Sequence, residues 1–254
     1  MAVKSHSQYN LSSVITPFPR YLWLLILAYS MMVAITNWFD ARLILIFGIA
    51  LPPGSIAFPI TLLLSDIITE VYGYKHARRA IWAAFFFNLL FILYGQAILL
   101  FPSPPFSANS EALDHLLHTN IRIFCAAFIS YLVSEPMNSY IMAKLKMISK
   151  GQYMGFRFLA STVFSGLIDS TLFTFIAFYG LFDIHHIFSL IFNIWAVKVI
   201  IEIAAMPLSI GTAKWLKQKE SLDIYDYHTN FNPLGLNVDY EKENNLFEQK
   251  DKSV

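Results

Sequence analysis

Charge and cysteine are both scarce in this chain. Only 14% of its 254 residues are charged, against roughly a quarter in soluble domains. The formal net charge of +1 gives no indication of a nucleic-acid partner, and we expect none. Cys125 is the single cysteine, which excludes an internal disulfide and a thiol metal site. The hydrophobic fraction of 56% instead indicates an all-α polytopic membrane protein with one transmembrane domain.

Motifs that mark enzymes are also missing. The residues before Asp169 do not form the Gly-x-Gly-Asp of intramembrane aspartyl proteases, and Val163 stands where Gly-x-Ser-Gly needs its first glycine. His-Glu-x-x-His and a phosphate-binding loop are absent from the sequence, so metal hydrolysis and direct ATP use have no support. We therefore expect no catalytic residues, no metal ligands and no cofactor.

Long apolar runs dominate what is present. A bilayer needs about 20 such residues, and six runs satisfy this, at about 21–38, 56–72, 80–101, 121–142, 158–179 and 187–208. The connecting stretches alternate between basic (75–79, 144–157, 214–219) and acidic or near-neutral (39–42, 102–120, 180–186). This alternation predicts six spans with both termini in the cytoplasm. It divides the chain into an N-terminal segment 1–19, a transmembrane domain 20–216 and a polar, largely irregular tail 217–254.

One break interrupts the apolar sequence between residues 43 and 71. A single helix of that length would be about 43 Å long at 1.5 Å per residue, which exceeds the roughly 30 Å hydrocarbon core. Pro52-Pro53-Gly54 predicts where it ends, because proline disrupts the helical hydrogen-bond ladder. We expect a short apolar segment at 43–51, followed by a membrane helix at about 56–72.

The strongest functional pattern lies in Phe58–Trp82. Asp66 and Glu70 are four residues apart and so share one face of a helix. A carboxylate at mid-membrane costs roughly 2.5–3.5 kcal/mol, so it faces a cavity or a partner rather than lipid. Two interpretations remain open: the pair binds a solute, or it is structural and satisfied by Arg78 or Arg79.

Other polar groups interrupt the later runs, and each has a structural alternative. The candidate substrate-binding residues are Asp66, Glu70, Glu135, Asn138, Asp169, Lys198 and Glu202. Lys198 and Glu202, one turn apart, would neutralise each other, or Lys198 would serve Asp169, which has no cation in its own run. The serine rows beside Asn138 and Asp169 are typical of close helix packing. His185 and His186 are expected to be solvated loop residues.

The stretch SDIITEVYGYKHARRAIW (65–82) resembles the signature of the queuosine-precursor transporters, also called the vitamin uptake transporter family of bacteria. LIDSTLFTFIAFYG (167–180), VKVIIEIAAMPLS (197–209) and IYDYHTNFNPL (224–234) match the same family in the same order. Two departures stand out: Leu234 replaces an aromatic residue, and Glu135-Pro136 replaces an amide-bearing pair.

The resemblance implies uptake, across the bacterial inner membrane, of a 7-deazaguanine base: the cyano form (preQ0), the aminomethyl form (preQ1) or queuine. It also implies a fold similar to the six-helix substrate-binding subunits of energy-coupling-factor importers. A carboxylate suits such a base, because it accepts both donors of a guanine-like edge. Asp169 or Glu70 is the expected reader, with Asp66 and Glu202 nearby. The alternative is a non-transporting binding subunit that needs a separate energising module, and energy coupling and oligomeric state stay open.

Overall fold

The computed structural model describes residues 19–40, 43–104, 110–119, 121–235 and 237–247. Nearly all of the predicted N-terminal segment 1–19 therefore lies outside the described residues. The elements, in chain order, are α1 (Leu22–Phe39), β1 (Ile44–Ile46), β2 (Ile49–Leu51), α2 (Gly54–Tyr72), α3 (Tyr74–Ile98), α4 (Ser110–Thr119), α5 (Ile121–Ile148), α6 (Met154–Phe178) and α7 (Ile184–Glu220), with a 3₁₀ turn at Lys242–Asn244.

Five of the described helices are long and apolar enough to cross a membrane: α1, α2, α3, α6 and α7. A sixth span results when α4 and α5 are counted together. The predicted all-α polytopic membrane fold is thus confirmed. Helix α5 is long enough to span by itself, but it carries Glu135, Lys144 and Lys146, which lower its mean hydropathy.

The break before α2 is confirmed, and the apolar segment preceding it is a β-hairpin. Strand β1 pairs antiparallel with β2, with Ile44 opposite Leu51. The reversal at Phe47 and Gly48 uses positive φ angles of 50° and 81°. Helix α2 then begins at Gly54, where an added Cβ would lie 2.2 Å from Asp40 Oδ1. Glycine is therefore needed where α2 begins against the end of α1.

The bundle buries many polar side chains among its apolar core residues and is apolar outside. Helix α5 packs on α6, α6 on α7, and α2 lies between α1, α5 and α7. Large apolar side chains such as Trp23, Phe87, Phe192 and Ile200 are about 60% exposed, which suits a surface against lipid tails. Buried serines, threonines and carboxylates lie at the helix contacts beside the buried apolar clusters, so the arrangement matches a bilayer as solvent.

Residues 221–247 fold against the turn between α2 and α3, and we call them the docked tail. Its Ile224 amide donates to the Val71 carbonyl at 3.2 Å, and Tyr225 and Tyr240 are buried. An added Cβ at Gly73, whose φ is 83°, would meet the Tyr240 hydroxyl at 2.5 Å. The tail is largely irregular, as predicted, but it is well packed, which its composition did not indicate.

Candidate functional site

All seven candidate site residues point into the helix bundle. Asp66, Glu70, Glu135, Asn138, Asp169, Lys198 and Glu202 each expose 5% or less of their surface. The helix order places them in layers. At one end lies Glu70, where α2 meets α3, α5 meets α6 and α7 finishes. We call this the basic end, after Lys146, Arg157 and Lys217.

The central layer brings α2, α5, α6 and α7 together around Asp66. Asn138 Nδ2 donates to Asp66 Oδ1 at 2.7 Å, and the Ser161 hydroxyl lies 3.4 Å from Asp66 Oδ2. The Asn138 amide oxygen accepts from the Ser165 hydroxyl at 2.9 Å. The predicted row of polar residues on α6 therefore serves this carboxylate as well as helix packing.

Glu202 completes the central layer from α7. It is fully buried, and its charge interacts with that of Asp66. Neither of its oxygens receives a hydrogen bond of normal geometry from the described residues, although the Thr162 hydroxyl is adjacent. A buried carboxylate with both oxygens unengaged is costly unless a ligand or a proton satisfies it.

The outer layer lies one to two helical turns beyond the central layer, on the side away from the basic end. Lys198 Nζ forms an ion pair with Asp169 Oδ2, whose other oxygen accepts from Ser134 at 3.1 Å. The ammonium also lies 4.1 Å from the centre of the Phe58 ring. Of the two partners considered for Lys198, the structure thus shows Asp169 and not Glu202. A cavity of about 20 Å³ adjoins this pair, which is room for about one water molecule.

Glu135 lies at the edge of the outer layer and contacts a pair of tyrosines. Its Oε2 accepts from the Tyr29 hydroxyl at 2.8 Å, and Tyr29 lies 2.9 Å from the Tyr131 hydroxyl. Glu135 Oε1 receives no hydrogen bond from the described residues. The charges of Asp169 and Lys198 both reach this carboxylate, so it is electrostatically part of the outer layer.

Asp40 caps the same region from the end of α1. Its carboxylate lies against the backbone at Gly54 and lines the small cavity together with Asp169 and Lys198. Burial raises the pKa of Asp40 to about 7, although the nearby Lys198 charge opposes the shift. The sequence placed Asp40 in a short outer turn, and nothing in that pattern indicated its burial.

Glu70 lies in a separate network at the basic end. Its carboxylate contacts Arg157 Nη2 at 2.8 Å and Lys217 Nζ at 2.5 Å. Asp223 of the docked tail contacts Lys146 and Lys217 at 2.9 and 2.7 Å. Three cations and two carboxylates thus tie α2, α5, α6, α7 and the tail together. The suggestion that Arg78 or Arg79 satisfies Asp66 and Glu70 is wrong, because Gly73 turns α3 away and Arg78 binds tail carbonyls.

Several residues of these layers were missed from the sequence. Lys146 and Arg157 resembled ordinary basic loop residues, yet each exposes 1% or less. Tyr29 lies in an apolar run and gave no signal. Within the described residues, no group of three or more His, Cys, Asp or Glu is placed to hold a metal ion.

Residues 52–211 match the model of a protein family described as "Putative vitamin uptake transporter". The match covers more than half of the chain and includes the seven candidate residues on α2, α5, α6 and α7. The chain belongs to this vitamin uptake transporter family. It is therefore a multi-pass membrane transporter that handles a small-molecule solute, as the fold and the buried polar layers also indicate.

A curated relative agrees with this placement. The chain is 22% identical over 176 residues to the "Probable queuosine precursor transporter" of Bacillus subtilis (strain 168). The aligned region covers 69% of this chain and 77% of the relative. No solved structure matches the chain significantly.

Proposed function

We propose that this transporter imports queuosine precursors, 7-deazaguanine bases such as preQ0, preQ1 or queuine, across the bacterial inner membrane. The family and the name of the relative from Bacillus subtilis support the solute class. The basic end faces the cytoplasm in this proposal, since lysine and arginine concentrate on that side of membrane proteins. Both termini then lie in the cytoplasm, and the base crosses without chemical change.

Glu202 is the observation that carries the proposal. A guanine-like edge presents an N–H and an NH₂ side by side, and a carboxylate accepts both. Glu202 offers two unengaged oxygens in a fully buried position, whereas the oxygens of Asp169 and Glu70 already contact cations. We therefore assign the reading of the base edge to Glu202, in place of Asp169 or Glu70.

The neighbouring residues complete the proposed site. Asp66 and Asn138 present a fixed acceptor and donor pair beside Glu202, suited to the remaining polar atoms of the base. The outer pair, Asp169 with Lys198, and the Glu135 carboxylate lie toward the opposite side of the membrane. There these residues would line the entry path and contact the substituent at position 7 of the base. Glu70 closes the basic end and does not contact the base.

Side-chain contacts close the bundle on both sides of the central layer. The cavity beside Asp169 has room for about one water molecule, far less than a purine-sized base needs. The Glu70 network seals the other side. Transport therefore requires the two seals to open in turn, as in transporters whose site stays near the midplane while access alternates.

The test uses a bacterium that neither makes the precursor nor has its own importer. Cells carrying this gene receive nanomolar preQ0, preQ1 or queuine, and the queuosine content of their tRNA is measured. The parent chain should restore queuosine, and Glu202→Gln and Asp169→Asn should lose it at unchanged membrane abundance. Glu111→Gln and Asp183→Asn, which make the same chemical changes at exposed positions, are the matched controls. No restoration with any base, despite good expression, would refute the solute assignment.

Purified protein in liposomes separates transport from the alternatives. The reconstituted chain should move labelled base into the lumen and release it chemically unchanged. A binding subunit that needs another module would bind the base in detergent yet move none alone. An enzyme would alter the mass of the recovered solute.

A further inference from the structure

A second cavity, separate from the solute layers, opens between α1, α3 and the docked tail. Its volume is about 630 Å³. Apolar side chains of α1 and α3 line both walls, among them Leu22, Ile26 and Ala83. Trp23 and Phe87 form its rim and are about 60% exposed on the outside of the bundle. The groove therefore opens toward the lipid and not toward the solute path.

The depth of the groove matches one leaflet. Its lining on α3 runs from His76 to Phe87, a rise of about 16 Å at 1.5 Å per residue. Half of a hydrocarbon core is about 15 Å. An acyl chain that enters at the basic end would thus reach roughly the midplane along this groove.

Charge at the mouth of the groove favours an anionic headgroup. Arg78 is occupied, because it donates to the carbonyls of Asn232 and Asn237 at 2.7 Å each. Its neighbour Arg79 lines the groove, is exposed and makes no hydrogen bond or ion pair with the described residues. Asp239 also lines the groove, and the Lys75 ammonium lies beside it, 2.6 Å from the Asp239 carbonyl. Since their charges offset each other, Arg79 leaves the mouth positive.

We propose that this groove binds an anionic phospholipid of the leaflet at the basic end, with one acyl chain between α1 and α3 and its phosphate on Arg79. Basic pockets between membrane helices are known to select anionic lipids in this way. The lipid would join the docked tail to α1 and α3, because Tyr240 and Ile224 form the inner wall of the same groove. The proposal is independent of the transported solute.

Native mass spectrometry of the full chain tests the proposal. Delipidated protein in detergent is given phosphatidylglycerol or phosphatidylcholine with identical acyl chains, and the retained lipid is counted. The parent should retain one phosphatidylglycerol at least tenfold more tightly than phosphatidylcholine. Arg79→Gln should remove this preference, while Lys219→Gln, an exposed cation at the same end but outside the groove, should keep it.

Two further experiments identify what binds in the groove. Ala83→Phe narrows the groove and should weaken both lipids, because the acyl chain loses its place. Soluble glycerol phosphate should not compete, because it lacks the chain. Equal retention of the two lipids, or an unchanged preference in Arg79→Gln, would overturn the proposal. So would strong lipid retention that appears only after deletion of residues 1–18, because the groove would then belong to that segment.

Discussion

Asp66 and Glu70 lie one turn apart on α2 and belong to two different electrostatic environments. Asp66 is held by an amide and a hydroxyl, whereas Glu70 contacts Arg157 and Lys217. A single helical turn therefore separates a carboxylate held by neutral hydrogen-bond donors from one held by cations. This step suits a transporter in which a solute site adjoins a gate held by ion pairs.

The charge count of the basic-end network predicts unequal effects of its variants. Glu70→Gln would leave three cations facing Asp223 alone, whereas Lys217→Gln would leave two cations with two carboxylates. Breaking a buried pair so that a charge loses its partner costs about 3–5 kcal/mol. Glu70→Gln should therefore lower the unfolding midpoint in detergent far more than Lys217→Gln. The double variant should recover part of the loss, and equal midpoints of the two single variants would contradict the ion-pair argument.

Asn138 should contribute to the affinity of the central layer for the base. Asn138→Ala removes the donor to Asp66 and the acceptor for Ser165. Hydrogen bonds to charged groups contribute about 1.5–3 kcal/mol, so the dissociation constant of the base should rise by about 10- to 100-fold. Calorimetric titration in detergent measures this. Ser139→Ala is the control, because the Ser139 hydroxyl lies 3.3 Å from that of Ser65 and not against Asp66. Equal affinity of parent and Asn138→Ala would place the base elsewhere.

The helices, the break at Pro52-Pro53 and the inward-facing acids were predictable, because hydropathy and the cost of charge in lipid act locally along the chain. Which acid meets which partner was not predictable. Lys198 lies one turn from Glu202 in sequence but contacts Asp169 on α6, since the direction of its long side chain is set by packing. Likewise Lys146 reaches the carbonyls of Glu70 and Ile224, partners that are remote in sequence. The docked tail was missed because its hydrogen bonds and its few buried apolar residues, such as Ile224 and Tyr240, follow no regular apolar period.

The raised pKa of Asp40 predicts that the stability of the folded chain depends on pH. Burial raises its pKa from 3.8 to about 7, so the folded chain binds a proton more tightly than the unfolded chain. The stability contribution is therefore largest below about pH 4, falls as the pH rises toward 7 and is constant above it. The unfolding midpoint of the parent should drop between pH 5 and 7.5 relative to that of Asp40→Asn. Parallel pH profiles of the two proteins would show that Asp40 does not titrate in this range.

Arg78 should hold the docked tail in place. Its guanidinium donates to backbone carbonyls of Asn232 and Asn237, and Trp82 Nε1 donates to the carbonyl of Pro233 at 2.7 Å. Arg78→Ala removes the larger set of these contacts, and hydrogen bonds from a charged group contribute about 1.5–3 kcal/mol each. The segment between Asp226 and Glu241 should then be cut many times faster by a nonspecific protease in limited proteolysis of the detergent-purified chain. Lys219→Ala removes an equal charge at an exposed position of the same end that makes no hydrogen bond to the described part of the tail, so it should leave the cleavage rate unchanged. Equal rates for the two variants would mean that the tail docks through Asp226, Tyr240 and Tyr74 alone.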